Sequence, residues 1–141
     1  MTVGKACTRI VVTAHPEETV QEVAKRMAQY DVGTLIVVEA HKPVGIITDR
    51  DLVLRIMAKE LRPQELTAGA VMTANPVCVS EHMGLEDAIA LMRGYQVRRL
   101  IVVNAKKELV GVLSLDDLLL LLGEEQQAVA GLMRAARNRR E

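Results

Sequence analysis

Residues 45–51 read GIITDRD, an apolar run that stops at Thr48 and is followed three residues later by Asp51. The pattern returns at 111–117 as GVLSLDD, with Ser114 and Asp117 in the same two places. Outward from these copies, a shift of 65 residues lays MAQYDVGTLIVVEA (27–40) over MRGYQVRRLIVVNA (92–105). The same shift carries Thr2, Gly4, Thr8 and Val12 onto Thr67, Gly69, Thr73 and Val77. One extra residue enters the loop, HKPV (41–44) against KKELV (106–110), and the shift becomes 66. Gly45 then meets Gly111, Thr48 meets Ser114 and Asp51 meets Asp117. The chain is a tandem duplication, and internal repetition of this kind governs the fold before any local propensity does.

Each copy implies one order of elements. A β-branched run opens it, IVVT at 10–13 and VCVS at 77–80. Apolar residues then share a helical face: Val20, Val23, Ala24, Met27 and Ala28 in the first copy, Leu85, Ala88, Ile89 and Met92 in the second. Acidic residues at the start, Glu17 and Glu18 or Glu86 and Asp87, suit a helix N-terminus. Two short apolar runs joined by a polar loop predict an antiparallel strand pair, and a last helix closes each copy over 49–60 and 115–122. The expectation is an α/β protein of two β-α-β-β-α repeats, 1–61 and 62–123, followed by a helical tail, 124–141. Units this small cover their apolar faces by packing together, here about a pseudo-twofold axis.

Composition narrows the function. The 141 residues carry 18 basic and 18 acidic side chains, which argues against a general electrostatic grip on nucleic acid or an anionic membrane. With no Trp, no Phe and only Tyr30 and Tyr95, there is no aromatic platform for single-stranded nucleic acid. A planar ligand would lie between aliphatic side chains. No apolar run reaches the ~20 residues of a membrane helix, the N-terminus lacks the pattern of a signal peptide, and two cysteines are too few for a disulfide framework. A cytoplasmic protein is expected.

The Thr48–Asp51 and Ser114–Asp117 pairs read first as capping boxes, the hydroxyl taking the third amide of a helix and the acid reaching back, each cap worth about 1 kcal/mol. The same geometry suits a ligand. A helix start beyond a strand offers amide donors to phosphate, and a carboxylate can take both hydroxyls of a ribose.

The paired G-h-h-[ST]-x-x-D signatures, the LIVV strands and the T-x-G-x-x-[MC]-T openings (2–8 and 67–73) together resemble the CBS domain pair, or Bateman module, over residues 2–122. The resemblance implies a regulatory module that binds an adenosyl ligand: AMP, ADP, ATP or S-adenosylmethionine, with or without magnesium. It also implies a disc-shaped homodimer that signals to a partner protein, with no catalysis of its own. Carried over residue by residue, Ser114 and Asp117 would work with Thr13, Ala14 and the Val32-Gly33-Thr34 turn. Thr48 and Asp51 would work with Cys78, Val79 and the Val97-Arg98-Arg99 turn. Arg98 and Arg99 would suit phosphate, so the Asp51 cleft is the better ligand candidate, and the Asp117 cleft is either empty or suited to a less charged ligand. Asp116 beside Asp117 marks it as a departure from the pattern.

Other chemistries fare worse. Cys7, His15, Cys78 and His82 have no zinc-site spacing, and no nucleophile–histidine motif or Gly-rich phosphate loop appears. In the tail, Val129, Leu132, Met133 and Ala136 recur at helical spacing, and Arg134, Arg137, Arg139 and Arg140 cluster at its end. The cations complement a helix dipole; the apolar stripe points to a dimer or partner contact. The opposing hypothesis is therefore a ligand-free dimeric scaffold, with a metal-responsive protein as a weaker third.

Overall fold

In the computed structural model, the backbone is described for residues 1–140 and the side chains for residues 1–138, so Glu141 and the side chains of Arg139 and Arg140 lie outside the described residues. The elements are α1 (Val3–Ala6), β1 (Thr13–Ala14), α2 (Val20–Tyr30), β2 (Thr34–Glu39), β3 (Lys42–Thr48), α3 (Asp49–Leu52) running into a π-helical turn (Val53–Met57), α4 (Ala68–Val71), β4 (Thr73–Ala74), β5 (Cys78–Ser80), α5 (Leu85–Tyr95), β6 (Arg99–Val103), β7 (Leu109–Ser114) and α6 (Leu115–Arg140). The α/β duplication predicted from the sequence is present. One sheet runs β1-β2-β3-β4 and the other β5-β6-β7. In both, the opening strand is parallel to the second strand, and the strand pair is antiparallel.

Helices α2 and α5 form where the apolar spacing placed them. Val20, Val23 and Met27 are buried on one, Ala88 and Met92 on the other. Each ends on a left-handed residue at matched positions, Asp31 (φ 53°) and Gln96 (φ 54°), and the Asp31 amide closes on the Met27 carbonyl. One detail differs from the expectation. Glu17 and Glu18 precede α2 rather than opening it, because Thr19 caps the helix in a box with Glu22. Glu18 instead pairs with Arg26, whose guanidinium also donates to the Thr13 carbonyl at 2.9 Å.

The repeats exchange their leading segments. Thr8, from the N-terminus, bridges Val112 of β7 with both backbone bonds (2.9 and 3.0 Å). At the matched place Thr73 pairs with Ile46 of β3. Val3 is buried among Val79, Ala88, Leu100 and Leu113 of the second repeat, while Ala68 and Met72 pack with Val23, Leu35 and Ile47 of the first. A further cluster lies between the sheets, where Ile36 from one and Ile101 and Val103 from the other are buried together. Its residues are related by the pseudo-twofold repeat.

The signature glycines follow from the exchange. A side chain at Gly45 would collide with Met72, and one at Gly111 with the Thr8 carbonyl and, at 2.9 Å, with Cys7 Sγ. Each glycine leaves room for the segment donated by the other copy.

The C-terminus also differs from expectation. The helix foreseen over 115–122 and the tail beyond it are one unbroken helix of 26 residues. Nothing stops it at 123: a lone glycine costs only about 1 kcal/mol in a helix, and no proline follows.

Candidate cleft between the repeats

Both signature pairs close as capping boxes. The Asp51 amide donates to Thr48 Oγ1 (3.2 Å) and the Thr48 amide to Asp51 Oδ2 (2.9 Å). In the second copy the Asp117 amide donates to Ser114 Oγ and the Ser114 amide to Asp117 Oδ2, both at 3.0 Å. The carbonyls of Gly33 and Arg98 accept from Asp49 and Leu115 at matched positions (2.9 and 2.8 Å), tying each turn to the helix start beside it.

What surrounds the two carboxylates is not symmetric. Asp117 faces Thr8, whose hydroxyl donates to Oδ1 at 3.3 Å and lies 3.4 Å from Oδ2. A cleft of about 460 Å³ opens here, floored by Val11, Val12, Ile36, Ile46, Ile101 and Val112 and rimmed by Thr8, Thr34, Thr48, Ser114, Asp117, Arg98 and Arg99. Ile10 stands at its mouth, 92% exposed. Among the described residues neither Arg98 nor Arg99 forms an ion pair, and both are exposed.

At Asp51 the matched contact runs through an arginine. Arg55 lies in the π-helical turn and donates to the Val71 carbonyl (2.7 Å) and to Thr73 Oγ1 (3.0 Å), with Nε 3.6 Å from Asp51 Oδ1. Thr73 is the counterpart of Thr8, so a guanidinium stands where the other copy has a direct hydroxyl–carboxylate contact. The residue matched to Arg55 is Leu121, which cannot play this part.

The structure thus regroups the residues singled out in the sequence. Ser114, Asp117, Val32 and Thr34 of the first set line the cleft, and Thr48, Val97, Arg98 and Arg99 line the same one, without Asp51. The turns at 32–34 and 97–99 both border the central cleft, so Arg98 and Arg99 line it with Ser114 and Asp117 as well as with Thr48. Asp116 is exposed and does not line the cleft. Thr13 and Ala14 line an adjoining cavity with His15, Glu18 and Arg26. Cys78 is exposed on β5, Val79 is buried in the second core, and Gly33 packs against the Asp49 carboxylate. Sequence reasoning passed over Thr8 and Arg55 as site residues. Thr8 carried a signal, since it ends the repeated T-x-G-x-x-[MC]-T opening. Arg55 carried none, because it breaks the repeat.

Among the described residues no group of three or more His, Cys, Asp or Glu is placed to hold a metal ion, and no helix is long and apolar enough to cross a membrane.

Comparison with known proteins gives this arrangement its family. The family profile described as CBS domain matches twice, over residues 3–58 and 68–124. The chain belongs to the CBS domain family. An uncharacterized protein of Methanopyrus kandleri is 34% identical over 120 residues, 84% of this chain; the chain spans 61% of that protein's length. Among solved structures, a CBS domain protein from Pyrobaculum aerophilum complexed with AMP is 29% identical with a TM-score of 0.73, over 83% of this chain and 89% of that one. The CBS domain pair of protein MJ0100, in complex with 5′-methylthioadenosine and S-adenosyl-L-methionine, is 25% identical with a TM-score of 0.75, over 89% of this chain and 98% of that one.

Proposed function

We propose that this CBS pair is a regulatory module, without catalysis of its own, that binds an adenosyl ligand in the Asp117 cleft and passes its occupancy to a partner protein. One observation carries the reading: aliphatic residues, the Asp117 carboxylate and two arginines that form no ion pair among the described residues line one opening. The slot suits a flat base held between branched side chains, and covering Ile10 and its neighbours removes apolar surface from water. Asp117 Oδ1 suits the vicinal hydroxyls of a ribose, which displace the long contact from Thr8. Arg98 and Arg99 suit a phosphate group. They disfavour the sulfonium cation of S-adenosylmethionine, so AMP, ADP and ATP rank above it. That related CBS proteins have been seen with AMP, 5′-methylthioadenosine and S-adenosylmethionine supports the class of ligand. Because the cleft lies between the repeats, a ligand that binds one inter-repeat angle better than another biases that angle, by no more than its difference in affinity.

The matched aspartates supply the test. Asp117→Ala and Asp51→Ala each remove a capping-box carboxylate, and each is expected to cost about 1 kcal/mol. A nucleotide at a hundred times its dissociation constant raises native stability by about 2.7 kcal/mol. That gain should survive in Asp51→Ala and vanish in Asp117→Ala. Melting curves against AMP, ADP, ATP and S-adenosylmethionine, with and without magnesium, read it directly. Loss of the gain in both variants, or in Asp51→Ala alone, would reject the Asp117 cleft. A flat response of the unaltered chain at millimolar ligand would favour the second reading, a dimeric interaction scaffold, for which the exposed apolar residues of α6 speak.

A further inference from the structure

The two repeats differ in the segment that leads into their first strand, and the difference falls at the mouth of the Asp117 cleft. The shift of 65 that matches Thr8 with Thr73 and Val12 with Val77 lays Arg9-Ile10-Val11 over Ala74-Asn75-Pro76. In the second repeat this segment is held. Thr73 and Ala74 pair with β3, and the Asn75 amide donates to the Val44 carbonyl (3.3 Å) from a left-handed backbone (φ 54°). The ring of Pro76 fixes the φ that follows.

In the first repeat only the ends are held. The Thr8 amide donates to the Val112 carbonyl (2.9 Å), and the Val112 amide donates back (3.0 Å). At the other end the Val12 carbonyl accepts from the Ile36 amide (3.3 Å). Between these anchors, among the described residues, Arg9, Ile10 and Val11 have no backbone hydrogen bond. Backbone of this kind opens locally at little cost. Val11 packs on the cluster between the sheets, and the Arg9 guanidinium is tied to the Gly4 carbonyl (2.9 Å). Ile10 is the loose member, a β-branched apolar side chain left 92% exposed.

Its position gives that exposure a use. With Val11 and Val12, Ile10 borders the Asp117 cleft and also the adjoining cavity of about 780 Å³ that Glu18 and Arg26 line. The segment is a thin wall with open space on both sides, so it can lean toward one without unpacking a core. We infer that Ile10 caps the ligand: when a nucleotide enters the Asp117 cleft, the Arg9–Val11 wall closes on it and the Ile10 side chain covers the outer face of the base. The inference rests on the ligand reading above and deepens it by naming what shields the base from water. Closure is favoured by the apolar surface it buries on both partners, and the ligand draws the wall in only by binding the closed form better. An aliphatic cap has no hydrogen-bonding group, so it selects a ligand that carries a base without reading the edge of that base. The polar, fixed Asn75 offers no such cap at the matched place.

The full chain and AMP supply the test. Ile10→Asn, which copies Asn75, should leave the melting temperature without ligand unchanged, since the side chain is almost fully exposed. It should weaken AMP about tenfold in titration calorimetry, whereas Ile10→Val should keep most of the affinity. In the free chain the unbonded amides of Ile10 and Val11 should exchange hydrogen quickly. Saturation with AMP should slow them, as followed by amide NMR, and leave the Asn75 amide, already bonded to Val44, as it was. An AMP complex in which the Ile10 and Val11 amides stay fast would overturn the cap and leave the ligand reading standing. An Ile10→Asn chain that binds AMP as tightly as the unaltered chain would do the same. An unaltered chain that takes no AMP would also overturn the cap, and the melting curves with the other adenosyl ligands then show separately whether the ligand reading falls with it.

Discussion

A single pair of side chains shows how much one residue decides here. Glu18 receives two nitrogens of Arg26 and the His15 amide (2.8 Å), and Arg26 in turn holds the Thr13 carbonyl. The hydrogen-bonded guanidinium lowers the Glu18 pKa from its ordinary value, against the opposing effect of burial, and Glu18 in turn raises that of Arg26. A depressed carboxylate stabilises the fold fully above its unfolded pKa of about 4.3, and that contribution fades as pH falls through the lower folded value. Glu18→Gln should therefore cost about 1 kcal/mol at pH 7. The difference from wild type should shrink below pH ~4, as urea titrations at a series of pH values would show; a constant difference would remove the ion pair as its cause. The sequence hid this pair. It displayed Glu17 and Glu18 as acids near a helix start, and only the Thr19–Glu22 capping box, which starts the helix two residues later than those acids suggest, turns Glu18 toward Arg26.

At the level of elements, the repeated strand and its glycine carry the clearest contrast. Gly111 is pressed by backbone, the Thr8 carbonyl, which is itself fixed by a two-way bridge to Val112; Gly45 is pressed by the flexible Met72 side chain. Gly111→Ala should destabilise by about 2–3 kcal/mol and Gly45→Ala by about 1, because overpacking costs most where the neighbour cannot move. Equal losses in thermal unfolding would show that the exchanged segments yield equally well. The paired strands β2, β3, β6 and β7, the two amphipathic helices and the capping boxes were legible, since period, β-branching and Thr/Ser–Asp spacing are local properties; β1, which begins only at Thr13 of the run 10–13, and β4 were not. Neither was the end of α6. A single glycine after five leucines reads as a boundary, but the helix passes through it because the run beyond supplies good helix formers and no competing cap.

For the whole molecule, two copies of one motif have lost their symmetry, and the proposed ligand has one cleft rather than two. With Arg55 lodged between Asp51 and Thr73, one ligand per chain is expected, and Arg55→Leu, which imitates Leu121, should raise the stoichiometry measured by titration calorimetry from one toward two. An unaltered chain that already takes two, or an unchanged count in the variant, would mean that Arg55 does not seal the second cleft. The sequence by itself determined the duplication, the class of fold, the family and the hydroxyl–carboxylate pairs, because each is written in short-range spacing that repeats. It could not determine which residues face one another across the repeat boundary. The exchange of residues 1–9 and 67–74 between the sheets, the meeting of the turns at 32–34 and 97–99 in one cleft, and the bond from Arg55 to Thr73 all depend on how two similar sheets stack. Only the tertiary structure decided these, since a pseudo-twofold packing brings together side chains that no local pattern connects.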